Sequence, residues 1–131
     1  MIPSVRPIEL SDVDQARKNI AGTVLKTPLV RLELGNGDPD IWLKLENLQP
    51  TNAYKIRGAA NAVAQLSDEE RARGVWTISA GNAGQGVAYA AAKRDIPCTI
   101  VMPQNASPAK VSATKSYGAN VVLRGANYDE A

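Results

Sequence analysis

Lys55 stands at the junction between a polar loop, 47–54, and a segment with the apolar spacing of a helix. A lysine beside a helix N-terminus has its charged form disfavoured and becomes a candidate nucleophilic amine, the group that Schiff-base chemistry needs. The alternative for Lys55 is an ordinary solvated surface lysine. The chain has no histidine, which excludes histidine-dependent nucleophilic relays and histidine-ligated metal sites within it. Acid–base chemistry must therefore come from another side chain or from a cofactor.

A glycine-rich segment, Ser79 to Gly86, follows an apolar strand and opens a helix. Glycines in such a turn let a ligand approach the backbone, and free N–H groups at a helix start attract a phosphate or carboxylate. The alternative is a strand–helix connection in which the glycines serve close packing. The spacing of Gly81, Gly84 and Gly86 differs from the dinucleotide-binding fingerprint, and no Gly-Lys-Ser/Thr sequence completes a P-loop.

Two other residues of chemically reactive or charged type have no functional signal in the sequence. Cys98 lies in the apolar segment 97–102 and is predicted to be a small core residue rather than a nucleophile. As the single cysteine it also excludes an internal disulfide. Arg57, two positions after Lys55, carries no local feature that distinguishes it from a surface cation.

The second half of the chain alternates strands and helices. Strands are predicted over 75–79, 97–102 and 120–124, and helices over 82–94 and from the Ser107-Pro108 cap to Gly118. Strand–helix–strand alternation at intervals of about twenty residues predicts a parallel sheet with right-handed crossovers, and so an α/β fold.

The first half is predicted to be less regular. A first helix is predicted from a Ser11 cap to Gly22, and strands over 29–34 and 41–46 are predicted to pair around a turn at 35–39. A second helix is predicted from Lys55, with a buried stripe of Ile56, Ala59, Ala60, Val63 and Leu66. Ser67–Glu70 is a capping box that opens a short helix closed by Gly74, and Asn127-x-x-Glu130 resembles another capping box near the last residue.

The length and composition describe a globular chain. Its 131 residues favour one domain, with 44% hydrophobic and 21% charged residues. A formal charge of +2 gives no basic field for nucleic acid or an anionic membrane surface. No apolar run reaches the length of a membrane span, and the first residues lack the apolar core of a signal peptide. The sequence therefore predicts a cytoplasmic protein without nucleic-acid or membrane partners.

Taken together, these segments resemble the fold type II pyridoxal-phosphate enzymes, and among them the threonine/serine dehydratase branch. The matching segments occur in family order over essentially the whole chain: Lys44–Thr51, Tyr54–Ala59, Ser79–Asn82, Gln85–Ala88, Ile100–Pro103 and Gly125–Ala131. The resemblance implies that residues 47–131 form most of an α/β small domain, truncated at its C-terminal end, with helices on both faces of a parallel sheet. Residues 1–46 would be an N-terminal arm of the large cofactor domain.

The same resemblance assigns roles to the site residues. It implies that Lys55 forms the Schiff base with pyridoxal 5'-phosphate, that Asn82 hydrogen-bonds the ring hydroxyl oxygen of the cofactor, and that Tyr54 packs beside it. The substrate carboxylate would lie against the loop residues Ser79, Ala80, Gly81, Asn82 and Ala83. The implied reaction is removal of the Cα proton of a threonine- or serine-like amino acid by Lys55, loss of the β-hydroxyl, and release of a 2-oxo acid and ammonia.

Some residues depart from the family pattern. Asn52-Ala53-Tyr54-Lys55 stands where many members have Gly-Ser-Phe-Lys, and Ala83 stands where histidine is common. Ala80 occupies the position at which racemases of this branch carry a serine acid, so elimination is favoured over racemisation. Racemisation or β-replacement on the same cofactor is the alternative chemistry, and a non-catalytic fragment or interaction module is the alternative outside enzymes.

The resemblance also predicts that the site is incomplete. Family chains are much longer, and the glycine-rich loop for the cofactor phosphate and the residue opposite the pyridine nitrogen would lie beyond Ala131. We therefore expect the chain alone to bind the cofactor weakly and not to turn over. Its expected partners are a small amino-acid substrate and either further copies of the chain or a missing C-terminal part.

Overall fold

A computed structural model describes residues 6–35, 37 and 39–131 of the chain. The helices are α1 (Leu10–Asn19), α2 (Lys55–Ala64), α3 (Asp68–Arg73), α4 (Asn82–Ala92) and α5 (Pro108–Ser116), with a short 3-10 helix at Glu46–Leu48. The strands are β1 (Leu29–Leu32), β2 (Ile41–Lys44), β3 (Val75–Ile78), β4 (Cys98–Met102) and β5 (Asn120–Leu123).

The start of α1 differs from the prediction. Ser11 was expected to cap this helix, but the N-cap is Glu9 and the helix begins at Leu10. The reason is that the Asp12 carboxylate accepts the Glu9 backbone N–H at 2.9 Å and pairs with Arg6 at 2.6 Å. These contacts satisfy an N–H group at the helix start two residues earlier than a Ser11 cap would.

Strands β1 and β2 form the predicted antiparallel hairpin, with Leu29 opposite Lys44 and Leu32 opposite Ile41. Of the turn predicted over 35–39, Asn36 and Asp38 lie outside the described residues. The hairpin has no second layer over its apolar side chains within the described part of the chain, where Leu29 and Trp42 are more than half exposed.

Helix α2 buries most of its predicted stripe. Ile56, Ala60 and Val63 are buried, whereas Ala59 and Leu66 are partly buried against the core. The predicted capping box of α3 is confirmed, because the Ser67 hydroxyl accepts the Glu70 N–H while the Glu70 carboxylate accepts the Ser67 N–H. Gly74 then ends α3 with a φ of +80°, a conformation that favours glycine.

Strands β3, β4 and β5 form a parallel sheet in that order, joined by α4 and α5. The α/β prediction is confirmed. Cys98, Ile100 and Met102 of the central strand are buried, and the small side chains of α4 pack over them, which lets the helix approach the sheet closely.

The two faces of this sheet differ. Crossovers that are both right-handed and both advance in the same direction place their helices on one face, and α4 and α5 accordingly contact each other. The opposite face carries Trp76, Ile78 and Val122, which are 71%, 39% and 38% exposed. Within the described residues, the predicted second layer of helices therefore does not cover this open sheet face.

Candidate functional site

The loop between β3 and α4 is fixed by its first residue. The Ser79 N–H donates to the Val101 carbonyl at 3.0 Å. The Ser79 hydroxyl accepts the N–H groups of Gly81 at 3.2 Å and Gly84 at 3.0 Å. Two of the N–H groups predicted to bind an anion, those of Gly81 and Gly84, are therefore already hydrogen-bonded to Ser79.

Other N–H groups of the loop are free to bind a ligand. The N–H groups of Ala80, Asn82 and Ala83 have no acceptor among residues 6–35, 37 and 39–131. Asn82 and Ala83 begin an eleven-residue helix and are exposed, whereas Ala80 is buried. Because the N-terminal end of a helix carries partial positive charge, Asn82 and Ala83 suit a carboxylate or phosphate.

The sequence left two roles open for the loop glycines, close packing and ligand approach, and the structure supports a different role for each of two glycines. A Cβ on Gly84 would lie 2.7 Å from the Ser79 carbonyl oxygen and 3.2 Å from Ile100 Cγ2, so this glycine serves packing. A Cβ on Gly81 would meet nothing within 4 Å. Gly81 thus faces open space at the mouth of the loop, where a ligand can approach the backbone.

Lys55 is the first residue of α2 and is exposed. Its Nζ lies 4.9 Å from the centroid of the Tyr54 ring, which is 59% exposed. No carboxylate in the described part of the chain lies within 4.0 Å of this amine. An amine outside any ion pair is available to react with a carbonyl group.

Gly86 brings Lys55 next to the loop. A Cβ on Gly86 would lie 3.2 Å from the backbone nitrogen of Ile56 and 3.3 Å from the carbonyl carbon of Lys55. The backbones of α2 and α4 therefore touch at this point, which lies one helical turn, about 6 Å, beyond Asn82. The structure therefore places the backbone of the predicted lysine one helical turn from the loop predicted to bind an anion.

Thr51, in the loop that leads to Lys55, adds a polar group without a partner. Its side chain is 2% exposed. Its hydroxyl is the one buried side-chain polar atom, within the described residues, that has no hydrogen-bond partner. Buried hydroxyl groups normally have a partner, so an unmade hydrogen bond near a candidate site is consistent with a ligand contact.

A group of four hydrogen-bonded residues beside Lys55 was not indicated by the sequence. We call it the Glu46 cluster, and it consists of Thr27, Glu46, Gln49 and Arg57. Glu46 accepts from Arg57 at 2.7 and 2.8 Å, from the Thr27 hydroxyl at 2.5 Å and from the Gln49 amide at 3.2 Å. Arg57, which no local feature of the sequence distinguishes from a surface cation, is therefore part of a hydrogen-bonded cluster. No spacing in the sequence indicated this contact, because the path of the intervening loop brings the two residues together.

The surroundings of two groups shift their pKa values. The hydrogen bonds from Arg57, more than any other contact, lower the pKa of Glu46 to about 2, so its carboxylate is ionised at neutral pH. Burial raises the pKa of the Cys98 thiol to about 11. The prediction that Cys98 is a core residue rather than a nucleophile is supported by this burial.

A cavity of about 510 Å³ is lined by residues of α1, the segment after it, β2 and Arg57, and by none of the loop residues 79–83. Its wall includes four cationic side chains, Arg17, Lys26, Lys44 and Arg57, but not Lys55. The candidate site at Lys55 and Asn82 is open to solvent rather than enclosed in this cavity.

Two further classes of site are absent from the described residues. Within the described ranges, no three His, Cys, Asp or Glu side chains come together as a metal site. None of the helices there combines the length and apolar character needed to cross a membrane.

Comparison with known proteins gives consistent matches. Residues 20–131 match the family described as pyridoxal-phosphate dependent enzyme. The chain is 44% identical over 126 residues to the catabolic L-threonine dehydratase TdcB of Staphylococcus aureus. The matched region covers 94% of this chain and 36% of that relative. The chain thus spans about a third of the length of the curated relatives it matches.

Solved structures match over the same range. The maize serine racemase superposes with a TM-score of 0.89 and 34% identity, covering 95% of this chain and 39% of that one. Processed threonine deaminase isoform 2 of Solanum lycopersicum superposes with a TM-score of 0.77 and 31% identity, covering 99% of this chain and 43% of that one.

Proposed function

The chain belongs to the family of pyridoxal-phosphate-dependent enzymes, and from this premise we propose that it carries the lysine and substrate-loop half of a dehydratase site. The proposed reaction converts threonine or a serine-like hydroxy amino acid to a 2-oxo acid and ammonia. The observation that supports the proposal is the contact at Gly86, where the backbone of Lys55 lies against α4. This point is one helical turn from the N–H groups of Asn82 and Ala83, which have no acceptor among the described residues.

The residues around Lys55 fit the cofactor of this family. Lys55 would hold its aldehyde carbon through Nζ, the Asn82 amide would hydrogen-bond its ring hydroxyl oxygen, and the exposed Tyr54 ring would pack beside it. The unpartnered hydroxyl of Thr51 is a further group available to a polar ligand. When bound, pyridoxal phosphate supplies an electron sink for the charge that develops at the substrate Cα.

The substrate carboxylate would lie at the α4 N-terminus. The Asn82 and Ala83 N–H groups would donate to it, and the exposed backbone at Gly81 leaves room for it to approach. Ser79 supports this arrangement indirectly, because its hydroxyl fixes the loop from inside. The Lys55 amine would then take the Cα proton, a role that needs no histidine.

Ala80 favours elimination over racemisation. Its methyl side chain cannot donate a proton to the opposite face of the substrate, so inversion at Cα lacks an acid at that position. Serine racemases are among the similar solved structures, and racemisation therefore remains the alternative reaction. The products distinguish them, because elimination releases ammonia and a 2-oxo acid whereas racemisation releases the inverted amino acid.

The site is proposed to be completed by additional polypeptide. Lys55, Asn82 and Ala83 are all exposed, so water reaches the positions at which the reaction would occur. In this proposal residues 1–46 contribute to a large cofactor domain and 47–131 to the small domain. The chain alone would bind the cofactor weakly and not turn over. The cytoplasmic location and the homo-oligomeric state predicted from the sequence stay predictions.

Reductive trapping tests the proposed lysine. The chain is incubated with pyridoxal phosphate, reduced with borohydride and mapped by mass spectrometry. Lys93 is the internal control, because its Nζ also lies over a tyrosine ring, 5.5 Å from Tyr89, but outside the site. We expect label at Lys55 to exceed that at Lys93 by about tenfold. Equal labelling of the two lysines would refute the assignment of Lys55.

A further inference from the structure

The first turn of α2 lacks a local device that fixes its position. Its N-cap residue, Tyr54, has helical backbone angles and makes no side-chain capping bond. The preceding loop includes Asn52 with a φ of +54°, an uncommon conformation outside glycine. The position of Lys55 must therefore be set by contacts made across the fold.

One such contact lies on the α4 side of α2. The backbone of Lys55 and Ile56 lies against Gly86, within 3.3 Å of where a Cβ would stand. This contact limits how closely α2 can approach α4. Taken alone, it leaves the first turn free to tilt away from α4 or to rotate about its own axis.

The second contact is made by the Arg57 side chain. Arg57 follows Lys55 by two residues, which is about 200° around the helix axis. Its guanidinium donates to Glu46 from Nε at 2.7 Å and from Nη2 at 2.8 Å. Two parallel hydrogen bonds between planar groups fix orientation as well as distance.

Glu46 is itself held by residues outside α2. The Thr27 hydroxyl and the Gln49 amide donate to its carboxylate. Gln49 is 1% exposed, and its side-chain amide exchanges two hydrogen bonds with the backbone of Leu25, at 2.9 and 3.0 Å. The carboxylate that receives Arg57 is therefore attached to the 25–27 segment, independently of the helix that it orients.

We propose that the Glu46–Arg57 ion pair is a positioning device for Lys55. It holds the first turn of α2 against Gly86 and so fixes the position from which the Lys55 amine would reach a ligand bound at the N–H groups of Asn82 and Ala83. This inference rests on the proposed function for the role of Lys55. Glu46 and Arg57 are positioning residues, because neither is proposed to touch the cofactor or the substrate.

Glu46→Gln tests the proposal, since it removes the charge while keeping the size of the side chain. Asp40→Asn is the matched control, because it breaks another arginine–carboxylate pair, Arg31–Asp40 at 2.8 Å, in the hairpin. We expect the ratio of pyridoxal-phosphate label at Lys55 to label at Lys93 to fall about tenfold in Glu46→Gln. The ratio should change less than about twofold in Asp40→Asn. Arg57→Lys, which keeps the charge but not the paired hydrogen bonds, should give an intermediate ratio.

A second readout separates positioning from general stability and does not depend on the cofactor. In wild type the Arg57 N–H donates to the Tyr54 carbonyl at 3.0 Å, and its hydrogen exchange reports on the first turn. We expect its exchange, relative to amides of β4, to increase about tenfold in Glu46→Gln. Unchanged relative exchange, or an unchanged labelling ratio in a folded Glu46→Gln protein, would overturn the proposal.

The two proposals fail in different ways. If wild type labels Lys55 no more than Lys93, the proposed function fails, and the exchange of the Arg57 N–H still decides whether the ion pair holds the first turn. If wild type labels Lys55 selectively and Glu46→Gln does so equally, only the positioning proposal fails.

Discussion

Replacing Gly86 with alanine inserts one methyl group between α4 and α2 at the position of Lys55. The new Cβ would lie 3.2 Å from the Ile56 nitrogen, 3.3 Å from the Ile56 Cα and 3.3 Å from the Lys55 carbonyl carbon. All three are backbone atoms, which cannot move aside by changing a rotamer. The two helices must therefore separate by a few tenths of an ångström to admit the methyl group.

The expected size of the effect follows from two opposing terms. Glycine to alanine inside a helix stabilises by up to about 1 kcal/mol. Forcing a methyl group into a packed interface destabilises by about 1–3 kcal/mol. Gly58→Ala supplies the first term alone, because a Cβ at Gly58 meets nothing within 4 Å. The difference in free energy of unfolding between Gly58→Ala and Gly86→Ala therefore measures the cost of the contact at Gly86, and it should be about 1–3 kcal/mol.

Urea unfolding followed by circular dichroism measures this difference. Gly58→Ala should raise the free energy of unfolding, and Gly86→Ala should leave it unchanged or lower it. Gly84→Ala should lower it further, since its Cβ would lie 2.7 Å from the Ser79 carbonyl oxygen. If Gly86→Ala stabilises the chain as much as Gly58→Ala does, the helices do not touch there and the reasoning that sets Lys55 beside α4 is refuted.

Three other predictions concern pH, the thiol and a helix cap. The pKa of Glu46 is lowered from 4.5 to about 2. Its contribution to the free energy of unfolding, about 3 kcal/mol, is therefore present above pH 4.5 and is lost as the pH falls towards 2. Urea unfolding across this range should give a shallower pH dependence for Glu46→Gln than for wild type, and equal slopes would contradict this. Because the pKa of Cys98 is raised from 9.0 to about 11, its thiolate fraction at pH 8 is about 100-fold below that of an unperturbed thiol, and a disulfide reagent should label it only after unfolding. Ser67→Ala should lower the free energy of unfolding by about 1 kcal/mol through loss of the α3 cap, and an unfolding midpoint equal to that of wild type would argue against it.

The elements with local signals were predictable from the sequence. Helix α2 begins at Lys55 as predicted, because a polar loop ends where the apolar spacing of Ile56, Ala60 and Val63 begins. The Ser67 capping box and Gly74 set the ends of α3 through contacts between near neighbours. The parallel order of β3, β4 and β5 follows from alternating elements and the handedness of crossovers.

Features that depend on contacts across the fold were not predictable in this way. The Glu46–Arg57 pair forms because the loop between the two residues folds back, and no periodicity in the sequence describes that path. The Gly81 N–H, predicted from the sequence to be available to a ligand, instead donates to the Ser79 hydroxyl. A side chain and a ligand compete for the same backbone donors, and the sequence does not show which of them binds. Ser11 lost its predicted capping role because Asp12 satisfies the helix start through Glu9.

The open sheet face and the hairpin each carry one tryptophan, and these are the only two in the sequence. Trp76 is 71% exposed on the sheet face and Trp42 is 54% exposed on the hairpin. Their fluorescence should have the long-wavelength emission of hydrated indole and be quenched by iodide. A polypeptide that covered the sheet face would shift Trp76 emission to shorter wavelength and shield it from quenching, without the same effect on Trp42. With Trp42→Phe and Trp76→Phe as separate reporters, the intrinsic fluorescence of the chain distinguishes which of its two surfaces becomes covered.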